Sequence, residues 1–158
     1  MKDFSINFII ESIENLLGKG PHFLHEPSFG RKEIEYVSDT IKKNYVSTKG
    51  IYVKKFEKKI QIYTKSKYAI STINCTQAIF IALKALGVQK DEEVLVPSLT
   101  FIGTVNAISY LGAKPHFVDS NIKDFGVDCN KLDNYLKKVT VLKKDKCFNK
   151  KTGKAIKV

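Results

Sequence analysis

The sequence predicts an α/β fold, a three-layer sandwich around a mainly parallel sheet. Two observations carry this. Between Tyr68 and Leu136, short apolar runs alternate with stretches of helical period, in the order strand, helix, strand, helix, strand, helix. One of those runs, Glu93 to Val96, is apolar enough to lie buried between layers, as the strands of parallel sheets do. In folds of this class, ligands bind beyond the carboxyl ends of the strands.

The elements follow in order. Ser5 to Leu17 puts Ile6, Ile9, Ile10, Ile13, Leu16 and Leu17 at helical spacing, and Gly18, Gly20 and Pro21 end the helix. Phe23 to Phe29 reads as a loop or short extended piece, because Pro27 opposes helix. Ser28 is the expected cap of a helix from Arg31 to Lys43, with Ile34, Val37 and Ile41 on one face. A polar turn with Ser47, Thr48 and Gly50 leads into a helix carrying Val53, Phe56, Ile60 and Tyr63. Tyr68 to Thr72 is a predicted strand and Asn74 to Gln77 its turn. Ile79, Ala82, Leu83 and Leu86 then repeat at helical spacing up to Gly87. After Glu93 to Val96, Pro97 breaks the strand, and Val105, Ile108 and Leu111 mark a helix stopped by Gly112. Pro115 to Val118 is the next strand, and Asp128 or Asn130 caps a helix holding Leu132, Tyr135 and Leu136. Cys147 to Val158, with Thr152 and Gly153 as turn residues, reads as a small hairpin.

Composition narrows the function class. A formal net charge of +11 invites a nucleic-acid or anionic-surface reading. The distribution opposes it. Lysines crowd Lys42 to Lys67 and Lys137 to Lys157, and the only arginine is Arg31, whereas readers of nucleic acid rely on arginine for bidentate contacts. Cys75, Cys129 and Cys147 are far apart, lack any zinc spacing, and suit a reducing cytosol. The amino-terminal residues lack a signal-peptide pattern, and no apolar run is long enough to span a bilayer. A cytoplasmic protein without a nucleic-acid or membrane partner is expected.

The turn Asn74–Cys75–Thr76 before a helix is a candidate anion cradle. Free N–H groups at a helix start carry partial positive charge and suit a phosphate. The Thr76 hydroxyl and the amides of Thr76 and Gln77 can add donors. No GxGxxG or GxxxxGK[ST] is present, which disfavours dinucleotides and nucleoside triphosphates. Against this stands the plainer reading that Asn74 or Thr76 is only a helix cap. Phe101, just past the Glu93 strand, either stacks on a flat heteroaromatic ring or is core.

The block NCTQAIFIALKALGV…DEEVLVPSLTFIGTVNAISYLGAKPHFVD resembles the DegT/DnrJ/EryC1/StrS aminotransferases, and HEPSFGRKEIEYVSDTIKKNYVSTKGIYVKKFEKKI is similar to their amino-terminal segment, including a Gly-x-x-Val-x-x-Phe-Glu helix. The resemblance runs roughly from Leu24 to Tyr135. It implies a partial large domain of a fold-type I, aspartate aminotransferase-like enzyme, with pyridoxal 5′-phosphate as cofactor. The full protein would act on a nucleotide-linked 4-keto sugar in surface-glycan or amino-sugar synthesis, with an amino acid, glutamate, as donor, and would be a homodimer. By resemblance Thr76 and Gln77 hold the cofactor phosphate beside Cys75, Phe101 stacks on the ring, and Thr104, near Asn106, lines the pocket. Tyr45, Val46 and Ser47 match a turn near the sugar-nucleotide site. The family usually carries a small residue in place of Gln77 and often Gly in place of Cys75.

The resemblance also implies a Schiff-base lysine and a carboxylate for the pyridine nitrogen. In the family both lie beyond the equivalent of Val158. The lysines at 137, 138, 143, 144, 150 and 151 read as solvated, and Asp119 and Asp128 come too early for the carboxylate. No catalytic residue and no metal ligand is assigned. The chain is expected to be roughly the first two fifths of a full enzyme. Residues 1–22 would form an amino-terminal helix and linker, and 23–158 the start of the cofactor-binding domain. A non-catalytic truncated product and a basic nucleic-acid-binding module are the alternatives.

Overall fold

The computed structural model describes residues 5–23, 25–47 and 50–157. Leu24, Thr48 and Val158, named above, lie outside them. By packing, the chain divides into two compact units, Met1–Phe56 and Glu57–Val158.

The first unit opens with helix α1, Ile6–Leu17, capped by Ser5, whose hydroxyl accepts from the Phe8 N–H. Gly18, at φ 85°, closes it with a backbone conformation that favours glycine. Helix α2 is Arg31–Lys42. Its cap is Gly30 and not Ser28. The Glu33 carboxylate reaches back to accept from the Gly30 N–H at 2.7 Å, which satisfies the cap residue's own donor, while no cap side chain accepts from the first turn. Helix α3, Ile51–Thr64, begins in this unit. Tyr52 donates to the Asp39 carboxylate at 2.8 Å, which also pairs with Lys43 at 2.9 Å, and the rings of Tyr36 and Tyr52 lie 5.2 Å apart. These contacts tie α2 to the start of α3.

The second unit holds the sheet. Helix α4 is Cys75–Ala85, β1 Glu93–Pro97, α5 Ile102–Tyr110, β2 Lys114–Val118 and α6 Cys129–Val139, followed by β3 Thr140–Lys143, β4 Lys146–Asn149 and β5 Ala155–Ile156. The strand order is β2-β1-β5-β4-β3. β1 is parallel to β2 and to β5, while β3–β4 and β4–β5 are antiparallel. The α/β architecture is as expected, and the tail hairpins make the sheet mixed. The β4–β5 hairpin lies where Thr152 and Gly153 signalled it. The β3–β4 hairpin has no such signal: its two-residue turn is Lys144–Asp145, at φ 47° and 61°, conformations that Asn-Gly would ordinarily announce.

Side chains alternate across β1. Val94 and Val96 form the core with Leu83, Val88, Ile108 and Ala113, against Ile79 of α4 and Val105 of α5. On the other face Glu93 meets His116 of β2, over which Tyr135 of α6 packs edge-on. Helices therefore cover both faces, which gives the three layers.

Two local expectations fail. Tyr68–Thr72 forms no strand. Ile70 is 84% exposed, and the Ser71 N–H goes to the Glu57 carboxylate at 2.9 Å instead of to a neighbouring strand. Strand patterning is expressed only where a ladder partner exists. The expected turn Asn74–Gln77 is already helical from Cys75 onward, with Asn74 as cap. Asp128 caps α6 as one of the two expected choices, accepting from the Lys131 N–H at 3.0 Å. No helix among the described residues is long and apolar enough to cross a membrane.

Candidate functional site

The carboxyl end of β1 and the start of α4 converge on a glycine. A Cβ placed on Gly103 would sit 2.5 Å from Thr76 Oγ1 and 3.2 Å from Phe101 Cδ1. Gly103 is buried in the first turn of α5, and its missing side chain lets α5 approach the opening of α4. The Thr76 hydroxyl and the Phe101 ring thus both lie against Gly103. Phe101 is 80% exposed, so it is not part of the core.

The two helix starts differ in how their donors are used. At α4, Asn74 Oδ1 accepts from the Gln77 N–H at 2.9 Å, and the Asn74 carbonyl accepts from the Ala78 N–H at 3.1 Å. That leaves the N–H groups of Cys75 and Thr76 without a partner among the described residues. Gln77 has therefore already committed its main-chain donor, and only its half-buried side chain remains for a ligand. The Cys75 thiol is free and exposed. At α5, Phe101 is the N-cap residue and supplies no side-chain cap. Thr100 Oγ1 and Thr104 Oγ1 lie 3.4 Å apart, partly buried, in the same turn. Two free amides, the Thr76 hydroxyl and an exposed aromatic ring can hold an anionic group and a flat ring side by side.

The remaining sequence-derived candidates lie elsewhere. Tyr45 and Ser47 belong to the first unit. The Tyr45 N–H donates to the Thr40 carbonyl at 2.9 Å, and the Ser47 carbonyl accepts from the Gly50 N–H at 3.3 Å, so both sit in a compact turn after α2. Beyond the carboxyl end of β2 a cleft is lined by Phe117, Val118, Asp119, Lys131, Leu132 and Tyr135. Hydrogen bonding and charge from Lys131, 3.0 Å away, hold the Asp119 carboxyl below its ordinary value.

Sequence reasoning missed two features. Gly103 carries no motif of its own, and its role emerges only when α4 and α5 are placed together. The second is a buried polar network at the amino end of β1. Glu93 and His116 are 4% and 9% exposed. His116 Nδ1 lies 2.6 Å from Glu93 Oε2, which also accepts from Asn149 Nδ2 at 2.8 Å, while Oε1 accepts from the Thr152 hydroxyl. His116 Nε2 is 2.9 Å from the Tyr135 hydroxyl. Burial pushes the Glu93 carboxyl up, but the hydrogen bonds from Thr152, Asn149 and His116 outweigh it and hold it below its ordinary value.

An α/β sheet with unpartnered amides at one helix start and an exposed aromatic ring past one strand's carboxyl end is an arrangement suited to a flat, anionic ligand, and solved structures share this fold. The putative sugar aminotransferase Spr1654 from Streptococcus pneumoniae, in its PLP form, is 28% identical with a TM-score of 0.58, matching 68% of this chain and 27% of that one. NtdA from Bacillus subtilis with bound cofactor PMP is 30% identical with a TM-score of 0.60, matching 73% of this chain and 29% of that one. Residues 27–147 match the DegT/DnrJ/EryC1/StrS aminotransferase family, and the chain belongs to it. The family is pyridoxal-phosphate dependent. Among curated relatives, a GDP-perosamine synthase of Escherichia coli O157:H7 is 45% identical over 62% of this chain, and the spore coat polysaccharide biosynthesis protein SpsC of Bacillus subtilis is 37% identical over 75%. The matched part of the chain spans only 27% and 31% of these two relatives.

Proposed function

We propose that the chain is the amino-terminal part of a pyridoxal 5′-phosphate-dependent aminotransferase acting on a nucleotide-linked 4-keto sugar, with glutamate as amino donor. The observation that carries the site reading is the close approach at Gly103, which brings the Thr76 hydroxyl and the exposed Phe101 ring to one place. These residues fit the cofactor. The amides of Cys75 and Thr76 and the Thr76 hydroxyl would hold its phosphate, Phe101 would lie against its ring, and Thr104 and the Gln77 side chain would border it. When bound, the cofactor supplies the electron sink that transamination needs. The residues of this chain bind and orient it and move no proton themselves. Tyr45 and Ser47 are assigned to the sugar nucleotide. Residues 1–22 are read as a helix and linker, and 23–158 as the beginning of the large domain of a cytosolic homodimer. By this reading the chain alone holds cofactor but transfers no amino group, because the Schiff-base lysine is not among its residues.

The test uses pyridoxamine 5′-phosphate, an amine that forms no adduct with the many surface lysines, in equilibrium dialysis with this chain. Saturable binding is expected, weakened about tenfold by Thr76→Val and by Phe101→Ala, equivalent to about 1.4 kcal/mol each. No binding by the native chain, or binding untouched by both substitutions, rejects the assignment.

A further inference from the structure

We infer that Glu57 is a positioning residue for the cofactor-phosphate site, holding the opening of α4 in place from α3. This rests on the reading of that site given above. Glu57 lies in the second unit, in the carboxyl-terminal part of α3. One oxygen of its carboxylate, Oε1, accepts from the Ser71 N–H at 2.9 Å and from the Ser71 hydroxyl at 3.0 Å. Ser71 lies three residues before the α4 cap, in the stretch that pairs with no strand. Within it, the Thr72 hydroxyl donates to the Asn74 carbonyl at 3.0 Å, and Asn74 then accepts from Gln77 and Ala78. Among the described residues, no hydrogen bond other than the two to Glu57 ties Lys67–Asn74 to anything but itself and α4.

The physical consequence follows from the donors involved. The amides of Cys75 and Thr76 assigned to the phosphate follow Asn74 directly, and among the described residues the loop that leads into Asn74 has hydrogen bonds to only one residue outside itself and α4, Glu57. Two charge-assisted bonds to one carboxylate are a strong form of such an anchor. The hydrogen bonds from the Ser71 N–H and hydroxyl hold the Glu57 carboxyl below its ordinary value, consistent with an acceptor that stays ionised at neutral pH.

Two readouts on this chain test the inference. The first is amide hydrogen exchange, which needs no cofactor. Glu57→Ala is expected to speed exchange at Gln77 and Ala78, the amides that bond to Asn74, by about tenfold, and to leave Val94 and Leu95 of β1 unchanged. The second is pyridoxamine 5′-phosphate dialysis. Glu57→Ala should weaken binding about tenfold, and Ser71→Ala, which keeps the main-chain bond, about threefold. Glu57→Gln keeps an acceptor oxygen and should restore most of both signals. Unchanged exchange at Gln77 and Ala78 in Glu57→Ala overturns the inference, as does an equal acceleration at β1, which would mark general destabilisation. If the native chain binds no cofactor analogue, the site reading fails while the exchange result still decides the role of Glu57. If it binds and Glu57→Ala binds equally well, only the present inference fails.

Discussion

The two ends of β1 are built for different purposes. At the amino end, Glu93 is buried and every neighbour it meets donates to it: Thr152, Asn149 and His116, with Tyr135 beyond. At the carboxyl end the chain leaves Pro97 for an exposed Phe101 and for Gly103, which lies tight against Thr76, beside two amides that bond to nothing described. One end is closed by full polar satisfaction and the other is left open. The contrast sets a satisfied polar anchor against unpartnered donors, and the proposed ligand site falls at the second end, in line with the rule that open α/β sheets bind at strand carboxyl ends.

The largest expected effect comes from breaking the closed end. Glu93→Ala leaves His116, Asn149 and Thr152 without their shared acceptor and should cost about 1–3 kcal/mol for each buried donor left unsatisfied, read from urea denaturation. Acid reaches the same end. Because the carboxyl is held below its ordinary value of 4.5, its contribution is complete above that pH and is lost as pH falls through the lower folded value. The urea midpoint should therefore drop below about pH 4.5 in the native chain, and a Glu93→Ala background should lack that part of the drop.

The open end is sensitive in a different way. Gly103→Ala forces a methyl against the Thr76 hydroxyl and the Phe101 ring and should cost about 1–3 kcal/mol by overpacking, with loss of pyridoxamine phosphate binding. Asn74→Ala removes the α4 cap and should cost about 1 kcal/mol, while Asn74→Asp keeps it. Phe101→Ala is the sharpest contrast with Glu93→Ala. An exposed ring outside the core, at an N-cap position where it makes no capping hydrogen bond, should change stability by no more than about 0.5 kcal/mol when removed, yet its loss should weaken ligand binding. A large fall in the melting midpoint of Phe101→Ala would erase the distinction between the ends.

Periodicity revealed the helices well because each has an apolar stripe in its own sequence. Ile79, Leu83, Val105 and Ile108 were placed on helices from spacing alone and do meet in the core or pack on it. Strands were legible only where a neighbour exists to complete them. Val94 and Val96 are paired and buried, whereas Tyr68–Thr72, with comparable patterning, has no partner strand. Of the two caps expected for α6, Asp128 supplies it through a short polar side chain, whereas the cap expected from Ser28 gives way to Gly30, whose N–H the Glu33 carboxylate accepts. The candidate site was partly visible. Thr76 and Phe101 stand out in the sequence, but Gly103 becomes informative only through a distance across two helices. Glu93 and His116 fall on expected strands, but nothing local announces that Asn149 and Thr152 will fold back onto Glu93.

β5 meets β1 at one register position, Glu93 opposite Ile156. Past that point one flank of β1 has no neighbour among the described strands, right where the chain runs toward Phe101. An unpaired flank invites any extended peptide to lie down on it and zip backbone to backbone. A strand laid along that flank would extend the ladder that β5 begins at Glu93.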